Sequence, residues 1–430
     1  LDARAAYTVG ASTKSFWVED KLGKWVEIGT TLRSTGTNSN VWVADANFSN
    51  TSLPKNDNKI TTAQAAVLAT KFDEIYRYET PLFGYEYGGG VAATAPTYGG
   101  VDGDPKIQIL VYDIDYDYTT AQTGGTLGYF WSKDLYDQKS LDGYGVKTNQ
   151  AEMFYIDAHF MDAYPTVAHS VLAHEFQHMI NFNVKSIRWS TNTNTVIADV
   201  WYNEMLSMLA EDVIGPLIGI APDSEDHVIA DRMGSFLAGY LYSGVTDWLS
   251  GNDALYSYSS VYAFGAYLAR NFGGAKLIKA MMENDTTNEA SITAALTALN
   301  PGVTFKSALS RYGEALVYSG APQPDGVLSF DKTATTKINA TDYTFTAFNI
   351  WTMPNNGYGQ SVTIGTPPDT DTYSYPEKGP MVWTLDYLFW MPGNSVILQS
   401  TDEWQHVTGA LKITAKKPTN ANIELYLMVR

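Results

Sequence analysis

The chain has 430 residues, too many for one small core, and an apolar fraction of 45% that supports two or three folded domains rather than disorder. A formal net charge of -18 with only 28 Lys and Arg excludes an extended phosphate-binding surface, and with it nucleic-acid partners. With no cysteine there are no disulfides and no thiolate metal sites, so a transition metal would have to be held by His, Asp and Glu.

In chain order, SFWVED, KWVEIGTTL and NVWVAD are short apolar and aromatic runs separated by KLG and STGTNSN, and predict a small antiparallel β region over residues 1–60. From Thr61 the spacing of Ala65, Leu68, Phe72 and Ile75 predicts a helix with one buried face. After a Gly-rich loop, KIQILVYDI (106–114) and AEMFYIDAHF (151–160) read as inner strands around a loop-rich insertion. Helices are expected from Thr166 to about Ala315, with Thr166 as the cap of the first. From Gly320 the pattern returns to short strands, spaced like those of a small sandwich. The expected fold class is therefore α+β: a mixed sheet with helices over 61–319, a β-rich N-terminal region, and a β-sandwich-like domain over 320–430.

No apolar run approaches the roughly 18–20 residues needed to span a bilayer, so no transmembrane segment is expected. The first residues, LDARAAYTVG, have neither an initiator Met nor a signal-like apolar core, so the chain is expected to be either a soluble mature product, secreted or at the cell surface, or a trimmed piece of a longer chain.

The stretch AHEFQHMINF, residues 173–182, carries two of the six histidines four residues apart, with a glutamate between them. On a helix, positions i and i+4 differ by about 40°, so His174 and His178 can meet one ion while Glu175 lies about 60° from His178. Neutral imidazoles hold zinc, an open position holds water, and the adjacent carboxylate takes the proton of that water as it attacks a carbonyl. The structural alternative is a half-buried helix bearing two satisfied histidines, but this spacing is rare by chance in a chain with six histidines. Val171, Leu172, Phe176, Met179 and Ile180 would anchor the helix in the core. His169, five residues before His174, is turned about 140° away and is expected to serve structure or surface.

A catalytic zinc needs a third protein ligand, and HExxHxxGxxH fails here, with Asn181 and Val184 at the expected Gly and His positions. DVWYNEMLSMLAEDVIGP predicts another helix, capped by Asp199 and stopped at Gly215 and Pro216, that carries Glu204, Glu211 and Asp212. Glu204 is the chosen ligand: it lies early in that helix beside Asn203, and 25 residues separate it from His178, enough for a loop and a return. Glu211, two turns on along the same face, can instead orient a ligand, or it and Asp212 can be a solvated helix end.

At this point the sequence resembles the gluzincins, zinc peptidases whose site is completed by a glutamate on a second helix. KSFWVED, VYDIDYDY with LGYF, MFYID, HEFQHMINF and WYNEMLSMLAED occur in an order similar to the hyicolysin-type neutral zinc metallopeptidases, over roughly Lys14 to Gly274. That resemblance implies a zincin-like core, Zn2+ on His174, His178 and Glu204, Glu175 as general base, protein or peptide substrates and a bacterial source. Many gluzincins place Asp four residues after the ligand Glu to buttress the first histidine. Met208 stands there instead, so either another group, such as Ser207 or Glu211, holds His174, or nothing does.

Gluzincins also use a downstream Tyr or His to stabilise the oxyanion. Tyr262 is the candidate, with His227 as the alternative, although most of the 29 tyrosines will simply pack or make structural hydrogen bonds. Asp113, Asp115 and Asp117 form an acidic cluster that Ca2+ can neutralise, the alternative being turn-capping and solvated aspartates. LGYF or MFYID offers an edge for an extended peptide. Trp351, Trp383, Trp390 and Trp404 are expected mostly as core, with a sugar- or matrix-binding face as the alternative. The expected activity is that of a secreted zinc endopeptidase. The alternatives are a zinc hydrolase with a non-protein substrate and an inactive peptidase-like surface or matrix-binding protein.

Overall fold

The computed structural model describes residues 7–51, 57–92, 94–95, 97–191, 195–240, 242–320, 325–366, 369–382, 393–395 and 397–398. Its centre is a six-stranded mixed sheet. The strands are β1 (Thr13–Glu19), β2 (Trp25–Thr35), β3 (Ser39–Ala44), β4 (Ile107–Tyr112), β5 (Gly128–Phe130) and β6 (Met153–Asp157). Their order is β1-β2-β3-β4-β6-β5. β3, β4 and β6 run parallel, while β5 pairs antiparallel with β6 and forms one edge. The segment expected as a distinct N-terminal β region thus supplies three strands of the same sheet that carries β4 and β6.

Side-chain alternation on the inner strands decides which layer each residue joins. Val41, Val43, Ile107, Ile109, Val111, Phe154 and Ile156 face the helices, whereas Trp42, Leu110, Tyr112, Met153 and Tyr155 fill a smaller core on the other face. On that second face the Trp42 indole donates to Gln108 Oε1 at 2.8 Å, so its buried N–H is satisfied. β6 ends at Asp157, earlier than expected. The Asp157 carboxylate accepts from the Phe160 N–H at 3.0 Å and caps a short helix, so the AHF that reads as strand is helical.

Two helices precede it: α1 (Thr62–Phe83), and the short α2 (Gln138–Leu141) in the insertion. The helix after Asp157 is α3 (Ala158–Ala163). Then come α4 (Pro165–Asn181), α5 (Val200–Ile214), α6 (Val228–Gly239) and α7 (Ala254–Phe272). The last four are α8 (Ala275–Glu283), α9 (Asn288–Leu299), α10 (Phe305–Ser310) and α11 (Tyr312–Tyr318). Thr61 and Gln64 form a capping box at the start of α1, and the predicted stripe Ala65, Leu68, Phe72 and Ile75 is fully buried. Phe72 meets Phe154 of β6 at 5.5 Å and Phe176 of α4 at 5.1 Å between ring centroids. Burying an aromatic of this size contributes about 1.5–3 kcal/mol, and here it clamps α4 onto the sheet.

The tail returns to β hairpins: β7 (Ala334–Ile338) with β8 (Thr341–Phe345), and β9 (Ser361–Thr366) with β10 (Asp369–Ser374). The main core does not stop at residue 319. Phe330, Tyr343, Phe345 and Ile350 belong to the cluster that packs α4 and α5, and the Tyr343 hydroxyl donates to the Tyr78 carbonyl of α1 at 2.7 Å. Trp351 donates from its indole to the Leu316 carbonyl at 2.8 Å and is partly buried against the same core. Trp383, Trp390, Trp404 and most of the strands expected after Pro380 lie outside the described residues.

Candidate active site

α4 begins at Pro165, one residue before the expected cap at Thr166. Proline at the first helical position has no N–H to leave unpaired, so no capping side chain is needed there. Leu172, Phe176, Met179 and Ile180 are fully buried and fix the helix rotation. That rotation turns His174 and His178 toward α5. α5 starts at Val200 with Asp199 in the cap position, although the Asp199 side chain makes no capping bond. Met205, Leu206, Met208 and Leu209 bury one side of α5, and Asn181 donates to the side-chain carbonyl of Asn203, tying the helices together beside Glu204.

His174 Nε2 lies 3.0 Å from His178 Nε2 and 3.1 Å from Glu204 Oε2, and His178 Nε2 lies 3.5 Å from the same oxygen. Among the described residues this is the group of three or more His, Asp or Glu side chains whose ligand atoms converge, all within 4.8 Å of one another. The side chains are 11–12% exposed, so they are shielded from competing water while a path to solvent remains.

The outer ring nitrogens decide what the inner ones can do. His174 Nδ1 meets Glu211 Oε1 at 2.8 Å, and the other Glu211 oxygen accepts from Ser170 Oγ at 2.7 Å. A carboxylate only accepts, so His174 Nδ1 carries a proton, and in the neutral ring Nε2 is the nitrogen that presents a lone pair. Ser207 Oγ donates to Gln177 Oε1 at 2.6 Å, which leaves it accepting from His178 Nδ1 at 3.0 Å. In their neutral forms both imidazoles would therefore present bare Nε2 atoms beside one carboxylate oxygen, a set of acceptors that suits a divalent cation of the zinc type. Of the two groups expected to replace the missing buttress, Glu211 holds His174 while Ser207 holds His178. Met208 is simply core.

The electrostatics follow from burial opposed by charge. Burial pulls His174 down, but the hydrogen bonds that its ring donates to Glu204 and Glu211 outweigh it and raise the imidazole well above its usual range. Burial pushes the Glu204 carboxyl up, yet the two histidines hold it well below the usual carboxylate range. Glu175, 6% exposed, is raised by burial, partly offset by the histidines and by the Phe130 backbone N–H of edge strand β5.

Tyr262 is fully buried and donates to Asp212 Oδ2 at 3.0 Å. Asp212 also holds Arg270 at 2.9 and 3.1 Å, so the hydroxyl of Tyr262 is committed to a buried ion pair rather than to His174, His178 and Glu204. One turn earlier on α7, Tyr258 brings its hydroxyl within 3.5 Å of Glu204 Oε1. Its ring is gripped edge-on by Trp248 at 4.9 Å. Tyr258 and Tyr262 share a helix face, so spacing signals both and cannot choose between them.

His227 is buried at the start of α6, where its Nδ1 accepts from the Ile229 N–H at 3.2 Å, a capping role. His169 is not part of the His174, His178 and Glu204 cluster, and burial together with nearby Lys71 lowers it to about 4. The aspartates considered for calcium do not converge. Asp115 Oδ2 accepts from Thr126 and Asp117 Oδ1 from Gln122, and Asp117 is exposed, so these residues organise the turn after β4.

A family model described as Peptidase M30 matches residues 25–335. The chain is also similar to a neutral metalloprotease, ShpI, of Staphylococcus hyicus, at 31% identity over 302 residues. That alignment covers 66% of this chain and 58% of the relative, so the chain spans less than two thirds of the relative's length.

Proposed function

The chain belongs to the peptidase M30 family, and from that premise we propose that it is a zinc-dependent endopeptidase of the gluzincin type with a zincin-like core. The observation that carries the reading is the convergence of His174 Nε2, His178 Nε2 and Glu204 Oε2, each imidazole oriented from behind by a hydrogen-bonded partner. The donor set fits zinc, which when bound would polarise the scissile carbonyl and lower the pKa of water.

The protein's own groups do the rest. Glu175, next to the first ligand and shielded from solvent, takes the proton of the attacking water and delivers it to the leaving amine. The Tyr258 hydroxyl donates to the oxygen that becomes negative in the tetrahedral intermediate. β5 is a sheet edge beside α4, so an extended peptide can add there as another strand, with main-chain hydrogen bonds holding the scissile bond beside Glu175. Secretion from a bacterium is part of the proposal, supported by the bacterial source of the similar metalloprotease. No helix among the described residues is long and apolar enough to cross a membrane.

The test is metal content and casein hydrolysis of wild type, Glu175→Gln and Glu204→Ala. About one zinc per chain is expected in wild type and Glu175→Gln, with activity in the variant down by roughly 10² to 10⁴, and zinc is expected to be lost in Glu204→Ala. Full activity in Glu175→Gln would sink the mechanism.

A further inference from the structure

Arg232, on α6, is not part of the cluster formed by His174, His178 and Glu204. Its guanidinium lies 5.2 Å from the centre of the Tyr258 ring, whose hydroxyl reaches Glu204. Its charge also acts on Glu211 and on Tyr258. The side chain is 22% exposed, and Nε faces Asp231 at 3.2 Å without the angle of a hydrogen bond; Asp231 is itself 58% exposed. Among the described residues, no acceptor takes the two terminal nitrogens. An arginine held against a ring with its fork unpaired is a planar, two-pronged receptor for an oxyanion.

The site around it is acidic, with Glu175, Glu204 and Glu211, and the whole chain carries a net charge of -18. That field repels an acidic substrate unless a local cation receives it. The path from the guanidinium through the Tyr258 ring to Glu204 is at most roughly 12 Å, between about three and four residues of extended peptide. A group bound on Arg232 and a scissile bond at the ligand cluster can therefore belong to one short stretch of substrate.

We propose that Arg232 is a specificity-determining residue that binds a substrate carboxylate, supplied either by an acidic side chain within about three to four residues of the scissile bond or by a free C-terminus. The inference rests on the peptidase reading of this site. A purely electrostatic role, offsetting Glu211 or steadying Tyr258, would change the turnover of all peptides alike and leave their ratios untouched.

The experiment uses zinc-loaded wild type, Arg232→Gln and Arg232→Lys with peptides that differ only as Glu or Gln at each position flanking the cleavage site, each made as the free acid and the amide. In wild type, kcat/KM is expected to favour the carboxylate by roughly ten- to a hundredfold at one side-chain position or at the terminus, which identifies the source. Arg232→Gln should bring that ratio to within about threefold of one, and Arg232→Lys should keep part of it, because a point charge lacks the fork. A wild-type ratio near one at every position and terminus, or a preference that survives in Arg232→Gln, overturns the proposal. If wild type cleaves none of the peptides, the peptidase reading fails, and Arg232 is judged separately by fluorescence anisotropy of the same peptides. A carboxylate preference in binding that is lost in Arg232→Gln supports its role, and no preference overturns it.

Discussion

Replacing Glu211 tests whether the acidic group behind His174 sets the metal affinity of the site. Its two oxygens are fully used, one by His174 Nδ1 at 2.8 Å and one by Ser170 Oγ at 2.7 Å, in a side chain only 11% exposed. A hydrogen bond to a charged group in such surroundings contributes about 1.5–3 kcal/mol, or roughly ten- to a hundredfold in affinity. Glu211→Gln keeps an acceptor for the Nδ1 proton but removes the charge, so zinc affinity should fall by about tenfold. Glu211→Ala leaves the Nδ1 proton unpaired and the ring free to turn, so the loss should approach about a hundredfold. Competition with a chromophoric zinc chelator at fixed pH measures both, with circular dichroism to confirm folding and Glu283→Gln, at an exposed acid, as control. Zinc bound by Glu211→Ala within about twofold of wild type would refute the reasoning and leave His174 oriented by packing alone.

Tyr258→Phe should lower kcat by about 10² with little change in zinc content, whereas Tyr262→Phe should cost about 1–2 kcal/mol of stability and spare kcat; the opposite pattern returns the oxyanion role to Tyr262. Arg270→Met strands the buried carboxylate of Asp212 and removes the bond to the Thr346 carbonyl, so urea denaturation should show a loss of about 3–5 kcal/mol. A loss below about 1 kcal/mol would mean that water reaches Asp212. Glu86 and Glu152 are 2% and 3% exposed, and burial raises each from 4.5 to about 7. A raised carboxyl favours the folded state below pH 4.5, and that contribution is lost as pH rises through about 7, by roughly 3 kcal/mol per group. Glu86→Gln should therefore lose less stability between pH 5 and 8 than wild type in chemical denaturation; equal losses would show that Glu86 is already paired.

How much was legible in the chain depends on the range of the interaction. His174, Glu175 and His178 are placed by the geometry of a single helix, so their spacing suffices to put them together on one side of it. The burial of Leu172, Phe176, Met179 and Ile180 follows from the same periodicity. The apolar runs that became β4 and β6 were readable for the same reason. Asp157 shows the limit even locally, since one capping bond turns the end of an apparent strand into α3.

What the sequence determined by itself was therefore which residue types share a face: Glu204 with Glu211 on α5, and Tyr258 with Tyr262 on α7. Along one helix face the chemistry repeats every turn, and nothing local says which turn meets the partner helix. Tertiary packing decided that: the crossing of α4 and α5 puts Glu204 against the inner nitrogens and Glu211 against the outer nitrogen of His174. The seat of α7 gives Tyr258 to Glu204 and Tyr262 to Asp212. The joining of β1–β3 to β4 and the packing of Tyr343 and Phe345 behind α5 are likewise decided only in three dimensions, because they pair segments far apart in the chain whose patterns would fit several partners.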